Sequence, residues 1–424
     1  MSRRVLAQGL ILVGVATLVG NGSAYLLSMV AARVLSPADF GAFGALTGLL
    51  IIVATLTIAM QTVTARRVAV AGGARSRVEH QALRVGVLVG AAILIGGCLA
   101  AWPLGEILTI PPLAVLMGVS SVAFVVVGCT AQGIAQGRQA HGRLSWTFMI
   151  NGVARAAVGI ICVVWAGTVT GAAAGIMVGT ACGSVLSFLL IRRPPNDAPA
   201  DDAPPTPMSW RSIWATWSAE FGHSTHALIV LYTLTNVDVL LARLFLSEES
   251  SGEYSVGVLL AKIAFFLPYA IVIVLFPRMS AQGSKRTVFL AAGLTAAVGI
   301  AITIVSAVAG SVVAGILGGV QYPDLGGQMW LFALEGSAFA LVQVLLYARL
   351  AAQDRRAVAA VWGALVVLVA VVAIWRHDSV TQIVTTVVVV SLLLTVGGLV
   401  LDLVRGKSRT AVPDGPLEPA QLPE

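Results

Sequence analysis

Charge is what this sequence has least of. Only 11% of its 424 residues are Asp, Glu, Lys or Arg, against about 25% in soluble domains. Hydrophobic residues make up 58%, so most of the chain is expected to lie in lipid. The net charge of +7 comes from basic residues scattered over many loops, which argues against a nucleic-acid partner. Cysteine is scarce too. Cys98, Cys129, Cys162 and Cys182 form no C-x-x-C pair and fall within apolar runs, where they read as small packing residues. Neither H-E-x-x-H nor a Cys/His cluster is present, so no metal or other cofactor is expected. The single Gly-Lys-Ser, at 406–408, has Leu401 where a phosphate-binding loop needs glycine, which argues against ATP hydrolysis. Connections on the outer side are short and offer no place for catalytic carboxylates or histidines. An enzyme is not expected.

Long apolar runs are what the chain does have. Twelve are near the 20 residues needed to cross a bilayer: 9–32, 41–64, 85–101, 113–135, 147–165, 169–191, 213–242, 255–277, 287–309, 329–349, 357–375 and 380–404. The first exceeds a signal-peptide core, so Arg3-Arg4 and the apolar run after them read as a span rather than a leader. Of 26 Lys and Arg residues, 21 fall on the side of the N-terminus and three, Arg33, Arg243 and Arg376, on the other. That bias predicts a multi-pass protein of the cytoplasmic membrane with both termini cytosolic. Trp102, Trp146, Trp165, Trp210, Trp330 and Trp375 stand near predicted span ends, where indole favours the interface.

The chain also repeats itself. Residues 33–43 read RVLSPADFGAF and residues 243–254 read RLFLSEESSGEY. Each has an Arg, a Ser, an acidic turn and Gly-x-aromatic. Arg33 and Arg243 stand 210 apart, Arg66 and Arg278 212, and Arg138 and Arg355, each preceded by Gln-x, 217. A near-constant offset of half the chain predicts two parallel six-helix repeats, related by an axis along the membrane normal. Residues 192–209, with six prolines and three aspartates, would link them as a disordered or polyproline II cytosolic segment. The expected organisation is a first lobe over 1–191, this linker, a second lobe over 210–404 and a disordered tail over 405–424. Trp210, Trp214 and Trp217 would lead into the seventh span. Gly171, Gly175, Gly179 and Gly183 form a small-residue groove that lets another helix approach closely or slide.

Ionisable residues inside spans are costly and mark cavities or partners. Here they are Arg155, Glu220, Asp238, Lys262 and Glu335, with His223 and His226; Asn21, Asn151, Asn236 and Gln343 add polarity. Asp238 and Lys262 lie at similar depth on adjacent spans. They would form a buried pair, or one that exchanges for a substrate phosphate or a proton. Glu220 and His223 share a helical face and could take up protons, or could simply be solvated. Arg155 has Asn151 one turn before it and no acidic neighbour in its own half. A guanidinium so placed suits phosphate through bidentate hydrogen bonds; Glu335 could instead reach it across the halves. Arg33 and Arg243 read either as anchors near the outer face or as part of a cavity rim.

The segment Ala32–Phe43, with Arg33, Leu35, Ser36-Pro37, Asp39 and Gly41-Ala42-Phe43, resembles the polysaccharide transporter (Wzx-type flippase) family of the MOP superfamily. Asn236-Val237-Asp238, Gly252-Glu253-Tyr254 and Phe276-Pro277-Arg278 are similar to it as well. The resemblance implies an all-α, two-lobed protein that moves a lipid-linked glycan outward by alternating access, working as a monomer among membrane lipids, with polymerase or glycosyltransferases as partners. It implies a cationic cavity at Arg155 and Lys262, with Arg33 and Arg243 at its rim and Asn21 and Asn151 nearby. Glu220, His223, Asp238 and Glu335 would serve ion coupling. A multidrug-type exporter and a non-transporting scaffold for glycan assembly are the other readings. A major-facilitator transporter is disfavoured because Arg66–Arg84 contains no Asp.

Overall fold

The computed structural model describes residues 3–192, 226–267, 285–351 and 355–408, and these are helical apart from short turns. The first half runs α1 (Arg3–Val34), α2 (Pro37–Val70), α3 (Arg75–Ile107), α4 (Pro112–Gly137), α5 (His141–Ala166) and α6 (Val169–Arg192). The second runs α7 (His226–Leu234), α8 (Val237–Phe245), α9 (Glu248–Phe266), α10 (Lys285–Val308), α11 (Gly310–Gly318), α12 (Met329–Ala351), α13 (Arg355–Ile374) and α14 (Val380–Ser408). The expected linker, the tryptophans at 210, 214 and 217, Glu220, His223 and the tail beyond residue 408 lie outside the described residues.

Ten described helices are long and apolar enough to span, or eleven if α7 and α8 count as one broken span. The expected count of twelve differs at α9. That helix carries Glu248, Glu249, Glu253 and Lys262 in 19 residues, too polar a stretch to pass as a span, and the rest of the eighth predicted run lies outside the described residues.

The doubled segment turns out to be a helix start. Ser36 and Ser247 adopt almost the same backbone, φ −60° with ψ 155° and 160°, and each hydroxyl accepts a hydrogen bond from the amide three residues on, Asp39 at 3.1 Å and Ser250 at 3.2 Å. Serine at this position satisfies an orphan amide of the first turn. The acids next in the chain, Asp39 in one copy and Glu248 and Glu249 in the other, complement the helix dipole. Two chain reversals of the same geometry result, one starting α2 and the other α9. They sit at the distal end of the bundle, opposite the start of α1 and the end of α14.

The third echo ties the first lobe at the proximal end. Arg138, closing α4, donates through Nε and Nη2 to both carboxylate oxygens of Glu79 on α3, at 2.6 and 2.5 Å, and through Nη1 to the Ile191 carbonyl of α6 at 2.9 Å. A bidentate fork onto a partly buried carboxylate is the strong form of such a bond. One apolar core runs through both lobes, from Leu27 and Leu35 through Phe40, Phe43 and Leu46 to Tyr254, Phe332 and Val387. Trp102, Trp146, Trp165, Trp330 and Trp375 are exposed near helix ends, as interface residues should be.

Candidate functional site

Between the lobes lies a chamber of about 270 Å³. Its walls come from α1 (Asn21, Tyr25, Ser28), α2 (Phe40, Phe43, Thr47), α5 (Arg155) and α9 (Ser255, Lys262, Phe266). Phe40 stacks on Phe43 with centroids 6.0 Å apart and meets Tyr322 edge-on at 6.5 Å, roofing the distal side. Burial, and then the nearby Glu253 carboxylate, push the Tyr322 phenol upward from its ordinary pKa. A second pocket of about 210 Å³ opens within the first lobe, lined by Thr17, Asn21, Gln132, Asn151, Arg155 and Thr180. Asn21, Arg155 and Thr180 border both spaces.

Small residues place Arg155. A Cβ on Gly179 of α6 would lie 2.7 Å from the Arg155 Cα, and one on Gly183 would lie 2.9 Å from the Asn151 Cα. On the other side of α5, Gly152 packs directly on Gly20 of α1. The glycine stripe is therefore a packing groove that holds α5 between two neighbours. Asn151 is fixed in turn, donating to the Thr147 carbonyl at 3.0 Å and to the Ser187 hydroxyl at 2.7 Å. Among the described residues nothing hydrogen-bonds or ion-pairs with Arg155, which leaves its guanidinium to the two cavities. Gly179→Leu should drive α5 off α6, since a side chain there meets the backbone of Ala154 and Arg155, and should cost about 1–3 kcal/mol as overpacking does; a lower melting temperature of the purified variant checks this.

The second lobe supplies a different cluster. α7 and α8 meet at a 41° break. At that break Asn236 turns its amide onto the Tyr232 carbonyl at 2.8 Å and the Thr235 hydroxyl at 3.2 Å, leaving its own Oδ1 without a partner among the described residues. Two residues on, Asp238 is fully buried and accepts from the Tyr254 hydroxyl at 3.0 Å. Glu335 of α12, 1% exposed, lies beside Asp238. Lys262 is within electrostatic reach of both carboxylates. Asp238 Oδ1 and Glu335 Oε2 meet no other donor among the described residues, and the two carboxyl groups lie within hydrogen-bonding reach of each other. A small void of about 30 Å³, lined by Asn236, Lys262 and Glu335, sits within the cluster.

The sequence brings Asp238 and Lys262 together, and both are here, but the hydrogen bond goes to Tyr254 and the third member is Glu335. Glu335 therefore faces its own lobe and not Arg155. Tyr254 is the aromatic of the second Gly-x-aromatic, and its place in that motif was the signal that could have found it. Arg33 and Arg243 do not line the chamber. Arg33 donates to the Ile316 carbonyl and Arg243 to those of Leu108 and Thr109, each across to the other lobe. His226 accepts from Trp362 Nε1 at 2.9 Å, joining α7 to α13.

The profile of the polysaccharide biosynthesis protein family matches residues 6–283, well over half of the chain. The chain belongs to the polysaccharide biosynthesis protein family. No curated protein matches it. Its fold is that of MOP superfamily transporters. A multidrug resistance MATE family transporter of that superfamily, in its inward-facing conformation, superposes with a TM-score of 0.75 at 13% identity, over 93% of this chain and 96% of that one. The lipid II flippase MurJ, inward closed, gives 0.66 at 10% identity over 96% and 94%. A MOP superfamily transporter from Pyrococcus furiosus, described as having a binding pocket of reversed polarity, gives 0.58 at 13% over 95% and 96%. The chain is thus a multi-pass membrane protein of the polysaccharide biosynthesis family with the fold of MOP superfamily transporters.

Proposed function

We propose that the chain carries a lipid-linked oligosaccharide, a glycan on a polyprenyl phosphate or pyrophosphate, outward across the cytoplasmic membrane. The observation that carries this reading is Arg155: a guanidinium within the membrane, facing the chamber, with no partner among the described residues. Neither an anionic phosphate nor a sugar crosses hydrocarbon unaided, so polar groups must stand in for water. Arg155 supplies the fork for the phosphate, Asn21 and Asn151 supply donors and acceptors for sugar hydroxyls, and Tyr25, Phe43 and Phe266 supply apolar faces. Lys262 stands on the opposite wall. An anion in the chamber competes with Asp238 and Glu335 for it, which couples cargo binding to proton or cation uptake by those carboxylates. Glu220 and His223 remain candidates for the same coupling. The cytosolic termini, a monomeric state and contact with polymerase or glycosyltransferases belong to the same reading, and catalysis does not.

The apolar, aromatic share of the chamber wall favours a second reading, a multidrug-type exporter of small molecules. Mass spectrometry of lipid-linked glycans in a strain depleted of the protein separates the two. A flippase leaves one finished glycan intermediate trapped in the cytosolic leaflet. Normal intermediates with new drug sensitivity identify the exporter. Loss of surface glycan with no trapped intermediate identifies a scaffold.

A further inference from the structure

The donors Arg33 and Arg243 are equivalent in the two repeats, and so are their acceptors. Arg243 sends Nε to the Leu108 carbonyl at 2.9 Å and Nη2 to that of Thr109 at 2.7 Å, at the end of α3. Arg33 sends Nη2 to the Ile316 carbonyl at 2.5 Å, at the end of α11, and its own carbonyl accepts from Gln321 at 2.9 Å. Carbonyls at a helix C-terminus lack intrahelical partners and carry partial negative charge, so a guanidinium is well placed there. Both chain segments then pass through positive φ, 49° at Thr109 and 77° at Gly319, again 210 positions apart. Glycine takes that conformation freely, but a β-branched threonine does not. Strain held at one copy of a repeated turn points to something the turn must do.

The helices that start beside these arginines cross each other at the motif's own glycines. A Cβ on Gly41 of α2 would sit 2.8 Å from the Gly252 amide nitrogen of α9 and would collide with Ser251 Oγ. One on Gly252 would collide with the Pro37 carbonyl, and one on Gly44 with the Ser255 hydroxyl. Backbone thus meets backbone beside Phe40 and Phe43.

We propose that the two copies of the repeated segment form one device, a reciprocal latch that seals the chamber at its distal, outer end: each repeat's arginine holds the other repeat's helix terminus while α2 and α9 cross at Gly41 and Gly252. Cargo leaves only when the latch opens. The two arms are unequal. The Arg243 side chain is 2% exposed and also reaches the Ala38 carbonyl, Ser251 and Glu248. Arg33 is exposed. Arg243 is therefore the main lock and Arg33 the lighter one. This reading goes beyond the proposed cargo and does not depend on what the cargo is.

Thiol labelling from outside tests it. In a chain with its four cysteines replaced, Ser28→Cys places a thiol on the chamber wall and Val320→Cys one on the exposed distal surface. A membrane-impermeant maleimide applied to intact cells should label the thiol at position 320 readily and the one at position 28 slowly. Arg243→Gln should speed labelling at position 28 by about 5-fold or more, Gly252→Leu should do likewise, and Arg33→Gln should give a smaller rise. Thermal melting of each purified variant confirms folding, and Arg33→Gln, at an exposed position, keeps the test open if the buried variants fail it. Labelling at position 28 as fast as at position 320 in the parent, or no acceleration in any folded variant, overturns the latch. Accelerated labelling in the variants, together with normal glycan intermediates on depletion, would leave the latch standing and remove the glycan reading.

Discussion

Replacing Arg155 with alanine is expected to reduce export of surface glycan more than about 100-fold. A bidentate grip on phosphate comprises two charge-assisted hydrogen bonds of about 1.5–3 kcal/mol each, and each 1.4 kcal/mol is a factor of about ten. Arg155→Lys keeps the charge and loses the planar fork, so an intermediate loss, about 10-fold, is expected. The alanine variant should also fold as well as the parent or better. No described residue is left orphaned when the guanidinium goes, and a buried cation without a partner opposes folding. Export measured in cells, beside the melting temperature of purified protein, checks both halves. Normal export by a well-folded alanine variant would sink the assignment of Arg155 to the cargo.

Lys262→Met should do the opposite to stability. Asp238 and Glu335 then face each other in a buried site with no cation, and breaking a buried charge cluster by removing one partner costs about 3–5 kcal/mol. The melting temperature should fall by several degrees, and export should fall at least about 10-fold. Adding Glu335→Gln removes one carboxylate, and the double variant should recover most of the lost stability while export stays low. Differential scanning fluorimetry on the single and double variants, with export on each, separates the two contributions. Recovery of export along with stability would make Lys262 a structural residue only.

Much of the fold was legible because its rules are local. Apolar run length gave most of the described helices, and the repeated segment marked the matching starts of α2 and α9. The broken seventh helix was not legible: nothing in T-N-V-D marks a 41° break, which Asn236 completes by bonding back to Tyr232. For the site, depth along a helix was enough to bring Asp238 near Lys262. It could not show Tyr254 and Glu335 arriving from α9 and α12, because rotation about a helix axis is set by packing and not by sequence position. Arg155 was legible for the converse reason, since a lone cation in an apolar span needs no partner to be noticed. Arg33 and Arg243 were found as a pair but their acceptors were not, because these are backbone carbonyls, which no sequence pattern advertises.

The Arg138 clamp has a mechanical consequence. It binds the ends of α3, α4 and α6 into one node, and the first lobe's helices run unbroken for as many as 34 residues. The second lobe is jointed by contrast, divided between α7 and α8 and again between α10 and α11. A stiff arm working against a compliant one confines bending to the joints. The joint at Asn236 lies two residues from Asp238, so the lobe that flexes is also the lobe that carries the buried carboxylates, and any movement there is felt by their charges first.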